Sequence, residues 1–220
     1  MKITFETVKN DTEVRTYIMQ ADASLIALGF TEHSFAHVTK CAETASHLLE
    51  QLGYSAREVE LAKIAGFMHD IGNLVNRHDH AISGASMAFT ILNKMGMDAA
   101  DIATVVTAIG HHDDSTAFPV NAVAAALILA DKTDVRRSRV RNRDTIKFDI
   151  HDRVNYAVEQ ADLTLDKASG TITLALSINT EVCAVMDYFE IFLNRMLLCR
   201  KAAEFFDLTF RLDINGQTLL

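Results

Sequence analysis

The sequence predicts a mainly α-helical protein in which a helical bundle is followed by a small C-terminal α+β unit. Periodic apolar segments fill the first two thirds of the chain, and several close at a glycine where a left-handed helix C-cap is expected, at Gly29, Gly53 and Gly96. Proline, which interrupts helices, occurs once in the chain. Beyond residue 144 the apolar pattern alternates with a period of two, which indicates β-strands.

The clearest helix start is Ser55-Ala-Arg-Glu58, a capping-box pattern that predicts a helix through Met68. This helix would deliver His69 and Asp70 at its end, and Gly72 is expected to terminate it. Further helices are predicted over residues 81–95, 99–110 and 121–138.

In the last third, alternating segments on either side of Lys167-Ala-Ser-Gly170 predict a β-hairpin. The amphipathic segment Glu181–Phe206 predicts one long helix, and residues 208–212 predict a strand before the turn Asn215-Gly216. We therefore expect a helical domain over residues 1–143 and a small α+β unit over residues 144–220.

Composition excludes several classes of function. The net charge of −8 argues against broad binding to nucleic-acid polymers or anionic membranes. The N-terminus lacks the apolar segment of a signal peptide, and no segment has the apolar length needed to cross a bilayer, so we expect a cytoplasmic protein. The three cysteines form no CxxC pair and are expected to be small buried side chains rather than ligands: Cys41, Cys183 and Cys199.

Histidines that stand beside carboxylates and helix ends carry the candidate chemistry. Their order is His37, His69-Asp70, His80, His111-His112 and finally Asp131. Adjacent residues on a regular helix point about 100° apart, so His69 and Asp70 can share a metal ion only where their helix is ending. Asp70 has two carboxylate oxygens and could bridge two cations. Neutral imidazoles suit iron, manganese, zinc, cobalt or nickel better than calcium.

These residues, in this order and in helical contexts, resemble the HD-domain metal-dependent phosphohydrolase superfamily. The resemblance covers residues 30 to 135, and five segments carry it: His37–Ala45, Leu61–Gly72, His80–Ala85, Ile109–His112 and Ile128–Asp131. It implies that the helical domain is an HD domain.

The resemblance also implies a ligand set and a reaction. A first divalent ion would be bound by His37, His69, Asp70 and Asp131, and a second by Asp70, His80 and His111. Iron or manganese is the expected metal, with zinc, cobalt, nickel or magnesium as alternatives. In dinuclear members a hydroxide held by the metals attacks phosphorus, which is consistent with how paired cations orient a phosphate. The implied substrate is a phosphate ester or anhydride of a nucleotide or another small phosphorylated metabolite.

The sequence departs at two motifs from one branch of this superfamily, which limits the substrates that the resemblance implies. Cyclic-dinucleotide phosphodiesterases of this superfamily follow the His-Asp pair with Ile-Gly-Lys and the His-His pair with Gly-Tyr-Pro, whereas this chain has Asn73 and Asp113-Asp-Ser. Cleavage of cyclic dinucleotides is therefore not expected. The His80-x-x-x-Gly-Ala85 segment is similar to the branch that includes diadenosine-tetraphosphate hydrolases, which the C-terminal unit does not match.

Several other polar residues have more than one interpretation. His33 lies one helical turn before His37 and is either an accessory ligand or substrate contact, or a surface residue. His112 is a catalytic proton donor, an extra ligand or a solvated neighbour. Five of the eight residues from 136 to 143 are arginines. Arg136 and Arg137 either bind a substrate phosphate through their guanidinium groups or lie at the end of a solvated helix.

The remaining histidines lie off the motif. His47 and His78 are expected to be solvated. His151-Asp152 repeats the His-Asp dipeptide, but it follows the strand-like segment Ile146–Ile150 and lacks downstream partners, so we predict no metal there.

Two alternatives to hydrolysis share the same ligands. One is a metal-containing ligand sensor or regulatory module, and the other is a dinuclear-iron oxygenase, which a mixed-valent iron pair that consumes dioxygen with substrate would identify. Retention of every expected ligand favours an enzyme over the sensor. The expected partner is a small phosphorylated substrate, with no nucleic-acid polymer and no membrane, and a homodimer could form through the C-terminal unit.

Overall fold

The computed structural model describes residues 2–114, 116–141 and 149–219, and it has two compact units, residues 1–131 and 132–220. The predicted domain boundary after residue 143, together with Arg143 and residues 146–148 of the strand-like segment, lies outside the described residues. The predicted fold class is confirmed, since a mainly helical chain carries a small β-sheet near its C-terminus.

The first unit is built from helices. Helix α3 packs against α4, and α5 packs against α6. Residues 123–130 of α7 are all buried, as expected for a helix that is apolar on every face. The helices are α1 (Phe5–Asn10), α2 (Thr12–Ala27), α3 (Phe35–Leu52), α4 (Ala56–Met68), α5 (His80–Lys94), α6 (Ala99–Gly110) and α7 (Ala122–Lys132).

The predicted helix caps are confirmed. Ser55 and Glu58 form the reciprocal hydrogen bonds of a capping box at the start of α4. Gly29, Gly53 and Gly96 have φ values of 80°, 85° and 81°, the left-handed conformation expected just after a helix.

The end of α4 differs from the prediction. The helix ends at Met68, before Gly72, and a 3₁₀ turn over Ile71–Leu74 follows. Gly72 is required for a different reason: a Cβ there would lie 2.0 Å from the carbonyl oxygen of His80 and 2.5 Å from the backbone nitrogen of Gly84. Its missing side chain therefore allows the start of α5 to pack directly on the His-Asp segment.

The predicted helix over residues 121–138 is too long, because α7 ends at Lys132. Beyond it, Arg136 donates to the Oδ1 atom of Asp134 at 2.9 Å, and side chains two residues apart do not face each other on a helix. Arg139 is buried and donates to the backbone oxygen of Asp134 at 2.8 Å. Asp134 thus holds Arg136 and Arg139 in a compact loop, which contains a 3₁₀ turn over Arg137–Arg139.

The second unit contains a four-stranded sheet in the order β1-β2-β3-β4. The predicted hairpin is confirmed as an antiparallel pair, and α9 connects β2 to the parallel strand β3. The predicted turn Asn215-Gly216 joins β3 to β4, with positive φ at both residues. The elements are α8 (Ile150–Ala157), β1 (Val158–Asp166), β2 (Thr171–Ile178), α9 (Val185–Glu204), β3 (Thr209–Ile214) and β4 (Gln217–Thr218).

Two local predictions in this unit are corrected. Ile150 begins helix α8 rather than ending a strand, because the Asp149 side chain accepts from the backbone N–H groups of His151 and Asp152 and caps a helix. The long helix begins at Val185, four residues later than Glu181. Among the described residues, no helix is long and apolar enough to cross a membrane.

Candidate metal centre

A close crossing of α3 and α4 brings the first two histidines together. A Cβ on Gly66 would lie 2.7 Å from both the Cα and the nitrogen of Ala42, so only glycine permits this separation. His37 on α3 and His69 at the end of α4 are fully buried, with ring centroids 5.2 Å apart.

Three histidines are held in the same way by their own backbone. The Nδ1 atom of His69 lies 2.8 Å from the carbonyl oxygen of Gly66, that of His80 lies 3.0 Å from Arg77, and that of His112 lies 2.6 Å from Ile109. Each carbonyl belongs to the residue three positions earlier. Because a carbonyl oxygen only accepts, the Nδ1 atom must donate, and the Nε2 atom of each neutral ring keeps its lone pair for a metal.

Four ligand atoms converge at the first cluster. The Nε2 atom of His69 lies 3.2 Å from Oδ2 of Asp70 and 3.7 Å from Oδ1 of Asp131. The Nε2 atom of His37 lies 3.6 Å from the same Asp70 oxygen and 3.3 Å from the same Asp131 oxygen. Ligands about 2.1 Å from one ion lie about 3 to 3.5 Å from each other, so these four contacts are close to the separations expected around a bound cation.

Hydrogen bonding within the described residues supports this fit. The Nε2 atom of His69 and the Oδ2 atom of Asp70 are buried, and neither makes a hydrogen bond. Asn73 donates to the other Asp70 oxygen, Oδ1, at 2.9 Å. Buried polar atoms are usually paired, so this unpaired nitrogen and oxygen, facing each other, fit the role of metal ligands.

The cluster is strongly coupled electrostatically. Burial raises the pKa of Asp70, but the imidazoles of His69, His33 and His80 outweigh burial and hold that pKa well below its ordinary value. Burial lowers the pKa of His69, but the carboxylates of Asp70 and Asp131 raise it above its ordinary value. Asp70 is therefore a carboxylate near neutral pH, as a metal ligand must be.

A second group of atoms lies on the other side of Asp70. The Nε2 atom of His80 is 3.2 Å from Nε2 of His112, 3.6 Å from Oδ1 of Asp70 and 3.8 Å from Oδ1 of Asp113. Asp70 thus presents one oxygen to each group. His80 and His112 are almost fully buried, whereas the Asp113 side chain is 24% exposed, so the group opens to solvent beside Asp113.

The structure brings His112, rather than His111, into this assembly. His112 shares a potential ligand group with His69 and Asp70, and its ring lies 4.9 Å from that of His69. Among the described residues, neither His111 nor His80 belongs to a potential ligand group, and the Nδ1 atom of His111 is buried without a hydrogen bond. His111 is the C-cap of α6 and lines a groove between α5 and α6 beside Phe89.

Two further residues adjoin the first cluster. The His33 ring lies 5.6 Å from that of His37, and its Nδ1 atom lies 2.7 Å from the carbonyl oxygen of Thr31. Cys41 is buried as predicted, but its sulfur lies 3.7 Å from the His37 ring nitrogens, and it forms a potential ligand group with His37, His69 and Asp131. Its position four residues after His37, on the same helix face, is a signal that the sequence reasoning passed over.

Arg77 is a functional candidate that sequence reasoning missed. Its Nη1 atom donates to Oδ1 of Asn73 at 3.2 Å and lies 3.4 Å from Nε2 of His80 and 3.9 Å from Oδ1 of Asp70. Its guanidinium also lies over the ring of Phe30, 5.7 Å from the centroid. Arg77 stands three residues before His80 in a segment with no periodicity, and no sequence signal marked it.

The predicted phosphate-binding arginines have partners within the second unit. Arg136 donates to Asp134 and, at 2.8 Å, to the hydroxyl of Ser138. Arg137 donates to the backbone oxygen of Tyr156 at 2.7 Å and to Glu159 at 3.1 Å. A substrate phosphate would have to compete with these acceptors.

The three histidines set aside as off the motif are exposed: His47, His78 and His151. Their nearest acidic partners are neighbours in sequence, Glu50, Asp79 and Asp149 respectively. None belongs to a potential ligand group among the described residues.

A helical unit with a buried cluster of imidazoles and carboxylates defines a metal-binding protein of the His-Asp type. Residues 34–141 match the family model of the HD domain. This part of the chain is an HD domain, which confirms the resemblance predicted from the sequence.

The crystal structure of a predicted HD superfamily hydrolase from an uncultured Thermotogales bacterium is similar to this chain, with 26% identity, a TM-score of 0.45, and coverage of 56% of this chain and 67% of that one. No curated protein matches the sequence. The HD domain and the buried cluster together support a metal-dependent hydrolase of the HD type.

Proposed function

We propose that this protein is a metal-dependent phosphohydrolase that cleaves a phosphate ester or anhydride of a nucleotide or another small phosphorylated metabolite. One observation carries the proposal: the ligand atoms of His37, His69, Asp70 and Asp131 are separated by 3.2 to 3.7 Å along the contacts that join them. The name of the similar Thermotogales protein, a predicted HD superfamily hydrolase, agrees with the reaction class.

The donor set favours a borderline transition metal. Two imidazoles and two carboxylates form the first cluster, and such mixed nitrogen and oxygen sets suit iron or manganese, with zinc, cobalt, nickel or magnesium as alternatives. A divalent cation held there supplies Lewis acidity, which lowers the pKa of a coordinated water and polarises a phosphoryl oxygen.

We assign the second group to a second cation, with one change from the sequence-based ligand set. His80 and Asp70 retain their predicted roles, and His112 takes the place of His111. Of the three readings of His112, the ligand reading is favoured because its Nδ1 atom is committed to the Ile109 carbonyl and its Nε2 atom faces His80. Asp113 would complete this group from the solvent side.

Substrate binding is proposed to involve His33, Arg136 and Arg137. His33 is half-buried next to His37, where an imidazole could donate to a phosphate oxygen. Both arginines present planar guanidinium groups suited to phosphate. A homodimer formed through the C-terminal unit is a further proposal, which light scattering coupled to size-exclusion chromatography would test.

The deciding experiment is metal analysis followed by a substrate screen. Protein purified without chelator should carry one to two equivalents of transition metal per chain, and the metals found should then support phosphate release from a panel of nucleotides and small phosphate esters. Failure to bind manganese, iron, zinc, cobalt or nickel on titration would remove the basis of the proposal. Metal binding with dioxygen uptake and no phosphate release would instead favour the oxygenase alternative.

A further inference from the structure

We propose that Arg77 controls occupancy of the second cation site: its guanidinium takes the place of the second ion, and the ion must displace it to bind. This inference rests on the proposed function only in assuming that the His80 group binds a cation.

The Arg77 guanidinium lies beside two candidate ligands of the second ion. The Nη1 atom of Arg77 lies 3.4 Å from Nε2 of His80 and 3.9 Å from Oδ1 of Asp70. These are the same two atoms that a second ion would use. A cation bound to both would therefore lie within a few ångströms of a fixed positive charge.

Arg77 is held there by neighbours that are not candidate metal ligands. Its Nη1 atom donates to Oδ1 of Asn73, whose amide in turn donates to Oδ1 and to the backbone oxygen of Asp70. The Phe30 ring lies against the guanidinium. The side chain is 29% exposed, so displacement toward solvent is open to it.

The positive charge of Arg77 opposes binding of a second cation. Two lone pairs face each other at His80 and His112, next to the carboxylates of Asp70 and Asp113. This group attracts positive charge, and Arg77 supplies one charge where a metal ion would supply two. At an effective dielectric constant of about 20, unit charges about 4 Å apart interact strongly enough to change an affinity by more than tenfold. Binding of the second ion is thus weakened by Arg77, whereas the first ion, on the opposite side of Asp70, is affected less.

The test is direct titration of the metal-stripped full-length protein with Mn²⁺, with free Mn²⁺ followed by electron paramagnetic resonance. Arg77→Gln removes the charge with little change in length, and the dissociation constant for the second ion should fall by about tenfold or more while that for the first stays within about twofold. Arg77→Lys keeps the charge and should retain weak second-ion binding. Arg15→Gln is the matched control, since Arg15 is an exposed arginine that also lies over a phenylalanine ring, that of Phe35.

Equal second-ion affinity in wild type and Arg77→Gln would overturn the inference, as would weaker binding in Arg77→Gln, which would make Arg77 a residue that positions Asp70. A protein that binds no second Mn²⁺ with or without Arg77 would also overturn it. Absence of phosphate release from a protein that binds both ions would count against the proposed hydrolase alone. Circular dichroism of each variant checks that it is folded.

Discussion

The Nε2 atoms of His80 and His112 lie 3.2 Å apart, while the Nδ1 atom of each ring is committed to a backbone carbonyl. In two neutral rings of this tautomer, both Nε2 atoms are acceptors, and their lone pairs repel. Burial also lowers the pKa of His80, which opposes relief by protonation of that ring. A cation held by both imidazoles would relieve this repulsion, and the first two predictions concern this arrangement.

Substitution of Asp70 should empty both cation sites. Asp70→Ala removes the carboxylate that presents Oδ2 to the first group and Oδ1 to the second, so bound metal and hydrolysis should both be lost. His47→Ala, at an exposed histidine outside the cluster, should keep normal metal content and activity. Elemental analysis and phosphate release measure the outcome, and equal effects of the two substitutions would contradict the assignment.

The adjacent histidines His111 and His112 should behave differently. His112→Ala should weaken binding of the second ion by about tenfold to a hundredfold or more, because an imidazole ligand is lost. His111→Ala should change it little, since the structure places His111 in the lining of the groove between α5 and α6, beside Phe89. Mn²⁺ titration of both variants distinguishes them, and the reverse pattern would restore the ligand set implied by the sequence.

Gly66 should be essential for the close packing of α3 against α4, which brings His37 and His69 together. A Cβ there meets the backbone of Ala42 at 2.7 Å, so Gly66→Ala should destabilise the protein by about 1–3 kcal/mol and weaken first-ion binding by moving His37 away from His69. Gly110→Ala is the control, because its Cβ would lie 3.7 Å from the Ala85 Cβ, an ordinary contact. Urea denaturation and metal titration measure both effects, and a fully stable Gly66→Ala protein would refute this account.

If Arg136 and Arg137 bind a substrate phosphate as proposed, their loss should affect substrate capture more than turnover. A charge-assisted hydrogen bond is worth about 1.5–3 kcal/mol, so Arg136→Ala should raise KM by about tenfold to a hundredfold while kcat and metal content change little. Arg137→Ala should also lower stability, because Arg137 donates to the Tyr156 carbonyl and to Glu159. Steady-state kinetics with the substrate found by the screen provide the measurement. Unchanged KM in both variants would leave these arginines with a structural role in the loop.

Much of the site could be predicted because its residues lie at or near helix ends. The resemblance to the HD superfamily implied the ligands His37, His69, Asp70 and Asp131, and the structure places them in one cluster. The caps at Ser55 and Gly53 act over a few residues, so the start of α4 and the end of α3 were readable locally.

The differences from prediction arise where a residue's direction depends on three-dimensional packing. The choice between His111 and His112 depends on backbone angles after Gly110, where His111 has φ −113° and ψ 21°, and sequence spacing does not encode those angles. The extended prediction for α7 failed because Asp134 gathers the following arginines into a loop. Arg77 lies in an aperiodic segment before α5, where sequence periodicity carries no information.

The hydrogen bonds from Nδ1 to the carbonyl three residues earlier have a consequence for protein engineering. Each of these ligands takes its orientation from four consecutive residues, such as Gly66 to His69 or Ile109 to His112. Orientation of the imidazole is therefore a portable property of a short peptide, whereas the distance between imidazoles is a property of the scaffold. Such four-residue units could be transplanted onto another helical bundle with the Nε2 atom of each imidazole already directed toward a metal. The spacing of the helices would then be optimised separately.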